Sequence, residues 1–263
     1  MNKNLFGKSL DELAINRLKE FEEAALKKHP NGYWLAYSGG KDSDVILHLA
    51  KRSGVKFETH HNLTTIDPPE LVKHVKTHPE VIIDKPPMSM ARLIRKKGMP
   101  PRRNARYCCE ILKEHGGAGR IVITGIRWGE SNRRSKRTMT EACYKDATKH
   151  YLHPIIDWST NDVWSYIRAN EIDYCCLYNE GFKRLGCILC PMTRDVKRQI
   201  EKWPAIAAMW ERNIKATFRE SGGRYRFSDP EEYWQWWLNR DASALNSAPV
   251  LFEDDPSLIE SGE

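Results

Sequence analysis

The chain predicts an α/β fold: a parallel sheet with helices on both faces, followed by a helical, Trp-rich C-terminal extension. Three observations predict it. Five short apolar or alternating runs between residues 33 and 156 read as strands. Stretches with apolar residues at helical spacing separate most of them, which is the alternation of a sheet wrapped by helices. The glycine turn Ser38-Gly39-Gly40-Lys41-Asp42-Ser43 joins the first strand to a helix.

Ser9 and Glu12 form a capping box, and Leu10, Leu13, Leu18, Phe21 and Ala25 continue a helix over 9–29 that Pro30-Asn31-Gly32 ends. Tyr33–Tyr37 is the first strand, and Asp44–Ala50 has the spacing of the next helix, which stops near Gly54. Val55–His61 alternates as a second strand, Val81–Ile83 reads as a third, Arg120–Ile126 as a fourth and Tyr151–Ile156 as a short fifth. Thr160–Ile167 reads as a capped helix. Beyond Arg194 come Trp203, Trp210, Trp234, Trp236 and Trp237, an aromatic stripe whose helical setting fits packing better than base stacking. Loops that follow strands gather at one edge of such a sheet. The glycine turn, Asn62-Leu63-Thr64-Thr65 and Gly125-Ile126-Arg127 are therefore expected to line one crevice.

The glycine turn is a phosphate cradle in physical terms. Glycines let backbone N–H groups approach an anion, and the unpaired amides and dipole of the following helix favour it. Ser38 and Ser43 add hydroxyl donors and Lys41 a cation. It is not a Walker A loop, because Leu35 and Asp42 stand where that pattern needs glycine and Ser or Thr.

No run of 18 apolar residues is present, which argues against a membrane span, and the first six residues lack a signal-peptide core. A cytoplasmic location is expected. The net charge is +7 in 263 residues, but fifteen Lys/Arg against three Glu put +12 between Lys85 and Arg137. Such a stretch suits a polyanionic partner or a phosphate-rich substrate, and it is equally compatible with a solvated face. Glu253-Asp254-Asp255 opens an acidic tail.

Seven cysteines, in the pairs Cys108-Cys109 and Cys175-Cys176, the C-x-x-C of Cys187 and Cys190, and Cys143, favour metal ligation over a disulfide framework. Four thiolates suit an iron–sulfur cube or a tetrahedral zinc, and spacing does not separate the two. The nine histidines show no spacing that reads as metal ligation.

The Ser38–Ser43 turn resembles the S-G-G-K-D-S loop of the ATP pyrophosphatase and PAPS reductase superfamily. Further segments extend the resemblance over most of residues 33–192: Asn62–Glu70, Gly125–Arg134 (G-x-R-x-x-[EQ]-S-x-x-R), His153–Trp164 (P-I-x-D-W-[ST]-x-x-D-V-W) and Leu177–Phe182. The resemblance implies a Rossmann-like sheet of the adenine nucleotide alpha-hydrolase-like type. It places a PAPS reductase-like nucleotide-binding domain over 1–193 and leaves 194–263 as the helical extension. It implies that Ser38, Gly39, Gly40, Lys41, Asp42, Ser43, Thr64, Arg127 and Arg134 border ATP or an adenylyl sulfate. Arg127 and Arg134 would offer guanidinium forks to its oxygens, with Asp42 near Mg²⁺.

The tandem pair plus C-x-x-C is similar to the arrangement that holds a 4Fe-4S cluster in APS reductases and, with different spacing, in the sulfurtransferase of DNA phosphorothioation. That implies a cluster on Cys108, Cys109, Cys187 and Cys190, with zinc as the alternative and Cys176 as an alternative fourth ligand. Lys113 matches the lysine that reaches toward cluster and substrate anion. The reductases' nucleophilic cysteine lies in a C-terminal E-C-G-[LI]-H segment, and no cysteine follows Cys190 here. The expected activity is therefore an ATP pyrophosphatase or adenylating sulfurtransferase, with Lys41, Asp42, Lys113, Arg127 and Arg134 as its working residues. A nucleic-acid acceptor, guided chiefly by Arg95, Lys96, Lys97, Arg102 and Arg103, and a sulfur-donor protein are the expected partners. A reductase using an external thiol and a nucleotide-responsive nucleic-acid-binding regulator are the alternatives.

Overall fold

The computed structural model describes residues 9–114, 116–222 and 227–239. The amino-terminal six residues and the acidic tail discussed above lie outside them. Along the chain run α1 (Leu10–Glu20), α2 (Glu22–Lys28), β1 (Tyr33–Ala36), α3 (Lys41–Ser53), β2 (Phe57–Asn62), α4 (Pro69–Lys76), β3 (Val81–Asp84), α5 (Met90–Lys97), α6 (Tyr107–Leu112) and β4 (Ile121–Ile123). They continue as β5 (Thr140–Ala142), β6 (His150–Leu152), α7 (Thr160–Ala169), α8 (Val196–Lys202), α9 (Pro204–Glu220) and α10 (Pro230–Asn239).

The six strands form one sheet in the order β3-β2-β1-β4-β6-β5. Every neighbouring pair is parallel except β5 with β6. The sheet is thus the doubly wound, Rossmann-like type that the alternation of runs predicts. The sequence reading misses β5, a three-residue edge strand whose exposed, half-exposed, exposed pattern carries no apolar face. It also joins α1 and α2 into one helix. The two separate at Phe21, whose ring turns inward against the core. The expected capping contact is present: the Ser9 N–H donates to Glu12 at 2.9 Å.

The core explains the strand runs. Tyr33, Leu35, Ile121, Ile123 and Leu152 from the sheet pack with Val45, Ile46 and Leu49 of α3 and with Ala14 and Leu18 of α1. The chain leaves β1 toward β2 and β3 on one side, then returns to place β4 on β1's other side. That reversal opens a crevice at the carboxyl ends of β1 and β4, where ligands of such sheets bind. The glycine turn follows β1 and Gly125-Ile126-Arg127 follows β4.

The described chain divides into two compact units, 9–90 with 106–190, and 91–105 with 191–239. Residues 91–105, which the sequence alone assigns to the first domain, group with the second unit. Within that unit the Trp237 Nε1–H donates to the Pro101 carbonyl at 2.8 Å, and Arg95 pairs with Glu220. Trp210 stacks on Trp237 with centroids 4.8 Å apart, and Trp203, Trp210, Trp234 and Trp237 are buried. Four of the five tryptophans are thus packing residues. Among the described residues no helix is long and apolar enough to cross a membrane.

At the opposite end of the strands, Arg120 is 5% exposed. Its guanidinium donates to the carbonyls of Asn31 (3.3 Å), Gly32 (2.9 Å) and Tyr33 (2.8 Å) and pairs with Glu58. One side chain therefore ties the entry to β1 to β2 and β4. Arg120→Met removes these donors and leaves buried acceptors unpaired. It is expected to destabilise the fold by about 3 kcal/mol, read as a lowered urea midpoint at an unchanged slope.

Candidate functional site

The phosphate cradle is built where β1 meets α3. Gly39 has φ +73°, and a Cβ there would lie 2.8 Å from Leu71 Cδ1 and Val75 Cγ2 of α4. Glycine is therefore required both by conformation and by the closeness of α4. Gly40 precedes the first turn of α3, and its carbonyl accepts from the Ser43 N–H (2.8 Å), the Asp44 N–H (3.1 Å) and the Ser43 hydroxyl (2.7 Å). Ser38 is exposed, and its hydroxyl donates to Ser43 Oγ at 3.2 Å. The Lys41 N–H, one of the helix's unpaired amides, donates to the Tyr178 hydroxyl at 3.0 Å. Burial, ahead of Asp42 and Asp44, raises the Tyr178 pKa, so the phenol keeps its proton. Tyr178 falls in the Leu177–Phe182 segment that the family resemblance includes, but its contact with the loop has no signal in the sequence.

The loop after β4 closes on this turn. A Cβ on Gly125 would lie 3.0 Å from the Asp42 carbonyl carbon and oxygen, so the close approach of this loop to Asp42 requires that Gly125 carry no side chain. Arg127 is 2% exposed. Its Nε–H donates to Asp42 Oδ1 at 2.7 Å, and the other Asp42 oxygen accepts from Lys41 Nζ at 2.9 Å. The rest of the Arg127 guanidinium donates to the Trp158 carbonyl at 3.1 Å and reaches Thr160 Oγ1 at 3.4 Å. The His153–Trp164 segment is thus explained by geometry. Asp157 binds Arg17 with two hydrogen bonds of 2.8 and 2.7 Å, Ser159 caps α7, and Trp158 orients Arg127. Glu130 joins both arginines of the signature: it accepts from the Arg127 N–H at 2.9 Å and pairs with Arg134.

The sequence reading assigns Asp42 to Mg²⁺. Both of its oxygens are held by cations instead, so its fit is that of a group that positions Lys41 and Arg127.

A second corner lies after β2. Thr64 is buried; its N–H donates to Asp67 at 2.6 Å, and its hydroxyl accepts from Cys187 Sγ at 3.5 Å. Ile188 N–H donates to the Ile66 carbonyl at 2.8 Å, stapling the C-x-x-C to this loop. Thr65 and Leu189 hold positive φ of 66° and 55°. Two non-glycine residues in that region, one β-branched, mark a locally strained pair of loops. Thr64, expected at the nucleotide, has its hydroxyl against the Cys187 sulfur.

Cys108, Cys109, Cys187 and Cys190 meet at this corner. A hydrogen bond from Cys108 favours the Cys109 thiolate, helped by Lys113 and Arg106, and the same contact raises Cys108, which also feels Cys187 and Cys190. Burial raises Cys187, and Lys113 opposes that shift. Lys113 is exposed as a residue, and its ammonium is held protonated first by Cys187 and then by Asp67 and Cys109. Asp67 is a participant the sequence reading omits. Cys175 is buried and senses Cys176, Asp44 and Glu70, while Cys176 is exposed. Cys143 lies half-buried and accepts from the Tyr151 hydroxyl at 3.7 Å. Cys108 feels Cys109, Cys187 and Cys190, which brings the tandem pair and the C-x-x-C into one neighbourhood.

Of the basic residues singled out above, Arg95, Lys96, Lys97 and Arg103 are exposed and Arg102 is half-buried. Arg95 is engaged by Glu220.

His153 reports on the loop bearing the arginines. It is fully buried, with Nδ1 2.7 Å from Thr124 Oγ1. Burial, then Arg137 and Arg134, pushes its pKa down from 6.5 to about 4. The unfolded chain takes up this proton near the ordinary value, and the folded chain only near the depressed one. The stabilisation is fully present above the ordinary value and is lost as pH falls toward the depressed one. Urea midpoints of the wild type and His153→Asn, compared near pH 7.5 and about pH 4.5, should converge on acidification by up to about 3 kcal/mol. Parallel curves would refute the buried neutral state.

The family model for the phosphoadenosine phosphosulfate reductase domain matches residues 32–193. An uncharacterized protein of Methanocaldococcus jannaschii is 27% identical over 250 residues, covering 86% of this chain and 57% of that protein. The adenosine 5'-phosphosulfate reductase of Neisseria meningitidis serogroup B is 39% identical over 97 residues, 35% of this chain and 38% of that enzyme. The chain therefore spans 38–57% of the length of these relatives. The crystal structure of phosphoadenylyl-sulfate (PAPS) reductase from Candida auris, a phosphate complex, superposes with a TM-score of 0.49 at 20% identity, covering 71% of this chain and 97% of that one.

Proposed function

The chain belongs to the phosphoadenosine phosphosulfate reductase domain family, and from that premise we propose that it is an ATP pyrophosphatase of the adenylating sulfurtransferase type. The observation that carries the reading is an anion cradle with two cations, Lys41 and Arg127, poised on one carboxylate at the switch point of the sheet. ATP is taken as the reacting nucleotide because a cradle of amides with two cations suits the charge of a departing pyrophosphate.

In the proposed reaction an acceptor atom attacks the α-phosphorus of ATP. The bond to the bridging oxygen breaks, and pyrophosphate leaves with that electron pair. The amides at the start of α3 and the Lys41 ammonium neutralise the departing charge. Arg127, fixed by Trp158 and Asp42, supplies a second cation whose direction is set before the nucleotide arrives, and Arg134 is held at the same loop through Glu130. Arrival of the phosphates competes with Asp42 for Lys41, so the ion pair is the resting partner of a mobile cation.

Cys108, Cys109, Cys187 and Cys190 are proposed to hold a 4Fe-4S cluster, which would supply a site for binding or delivering sulfur. A tetrahedral zinc at Zn–S distances of 2.3 Å draws its sulfurs to about 3.8 Å of one another. The choice of the cube over zinc rests on the resemblance of the tandem pair plus C-x-x-C to cluster-bearing relatives. Lys113 would face an anion bound between cluster and nucleotide. A nucleic acid as acceptor is proposed from the +12 of Lys85–Arg137, and a persulfide-bearing protein as sulfur donor. A cytoplasmic location fits a chemistry that needs reduced thiols.

Purified anaerobically, the wild type should release pyrophosphate from ATP, faster when nucleic acid is supplied as acceptor. Gly40→Val should abolish nucleotide binding, because even its Cβ would sit 3.2 Å from the Tyr178 hydroxyl and the further methyls would fill the cradle. Calorimetry with unchanged ATP affinity in that variant would remove the loop from the site. Sulfite release from adenylyl sulfate and thioredoxin, without pyrophosphate from ATP, would establish the reductase reading in its place.

The metal is tested separately. The protein should be brown and carry about four irons per chain. It should lose them in Cys187→Ala and keep them in Cys176→Ala. Colourless protein with one zinc would replace the cluster and keep its ligands.

A further inference from the structure

Asp44, His74 and His78 stand outside the machinery above, yet they are arranged around a common point. One ligand atom from each lies within 4.8 Å of the other two. Asp44 sits in the first turn of α3 and is 2% exposed. Its Oδ1 accepts from the Tyr37 hydroxyl at 2.5 Å and from His74 Nε2 at 3.1 Å, while its Oδ2 is buried with no partner. His74 is 8% exposed in the last turn of α4. His78 follows that helix end; its buried Nε2 also lacks a partner, and its Nδ1 lies 3.9 Å from Glu80 Oε1. The two imidazoles meet edge to face, with centroids 5.2 Å apart.

Two buried polar atoms without partners, one of them on a carboxylate, are costly unless something joins them. A divalent cation does so with the donors that are present. Two imidazole nitrogens and one carboxylate oxygen are a His₂Asp set, the oxygen–nitrogen ligation that zinc and its neighbours accept. Glu80, 3.9 Å from His78 Nδ1 and paired with Lys51, is a nearby carboxylate behind that imidazole. The C-terminal end of α4 favours positive charge at this point. The Tyr37 phenol, 3.3 Å from His74 Nε2, or a water is available for the fourth position.

We infer that Asp44, His74 and His78 form a second metal site, separate from the cysteines, that takes Zn²⁺ or a similar borderline divalent ion and pins α4 to the first turn of α3. The pin has a consequence for the cradle. Leu71 and Val75 of α4 bound the space beside Gly39, so fixing α4 against α3 fixes the phosphate loop between them. The ion would be structural, two residues from Asp42 in sequence yet on another side of the helix.

The test uses the full chain with its cysteines intact, loaded with zinc or with cobalt(II) and desalted. Metal analysis of the wild type should find one equivalent of zinc beyond whatever the cysteines hold. His78→Ala, at the more exposed rim of the group, should lose that equivalent, with affinity reduced at least roughly 100-fold, while iron or thiolate-bound metal is retained. In the cobalt form the second equivalent should show ligand-field bands without sulfur charge transfer, and Cys187→Ala should keep them. Zinc should raise the thermal midpoint of the wild type and leave that of His78→Ala unmoved. Asp44→Asn is not used, because loss of a buried carboxylate bonded to Tyr37 and His74 can unfold the chain by itself. A wild type that binds no metal beyond its cysteines, or a His78→Ala chain that binds as much as the wild type, overturns the site and leaves a hydrogen-bonded cluster of Tyr37, Asp44 and His74.

Discussion

The carboxylate of Asp42 is the constraint on which the rest of the site depends. One oxygen holds Lys41 from the loop after β1, and the other holds Arg127 from the loop after β4. Those loops belong to adjacent strands that the chain visits far apart in sequence. An ion triad of this kind does little for stability on its own, because desolvation of three charges offsets most of their attraction. Its effect is geometric. Without the carboxylate, two cations would repel across the crevice; with it, both are held at the mouth of an anion cradle. The Gly125 contact is part of the same device, since a side chain there would push the second loop off Asp42.

The cysteine corner follows another logic. Here the charges are thiolates, and the neighbours decide which thiols ionise. Cys109 is favoured by its hydrogen bond from Cys108 and by Lys113, and Cys187 is held back by burial. Asp67 lies in the same corner, holding the Thr64 amide and keeping Lys113 charged. The corner is joined to the glycine turn through Tyr37. That residue leads from β1 into the cradle, and its carbonyl receives His61 Nδ1 at 3.0 Å. His61 in turn feels Asp67 and Lys113.

Much of this was legible in the sequence because the signals are local. Strand runs, the glycine turn and the tandem cysteines are each contained in a few consecutive residues; the runs fall on β1 to β4 and β6, though the fourth and fifth shorten to Ile121–Ile123 and His150–Leu152. The edge strand β5 was not legible, because three residues with no buried face leave no periodicity. Nor was the partner of a charge. Asp42 reads as a free carboxylate beside a phosphate loop, and only the fold brings Arg127, 85 residues away, onto it. Tyr178 is the same case: its hydroxyl meets the Lys41 amide across 137 residues of chain. The grouping of 91–105 with the C-terminal helices was hidden for a similar reason, since it rests on contacts such as Trp237 with Pro101. The spacing of His74 and His78, four residues apart at a helix end, was visible. It did not read as metal ligation, because only the fold brings Asp44 of α3 beside the pair.

Asp42 and Asp44 show how one helix terminus serves two purposes. At 3.6 residues per turn, positions two apart point about 160° away from each other around the axis. The first carboxylate therefore faces the crevice and the arginine, and the second faces α4 with its histidines. Both also lie in the first turn, where the helix dipole stabilises negative charge. A phosphate at the same terminus adds further anionic charge, and two unneutralised carboxylates there would oppose it. Lys41 and Arg127 cancel the first. The second has only hydrogen bonds from Tyr37 and His74 to disperse it, with one oxygen left unpaired. A cation beside Asp44 would complete that neutralisation, so the electrostatics of anion binding at the loop and the incomplete coordination behind it lead to the same requirement.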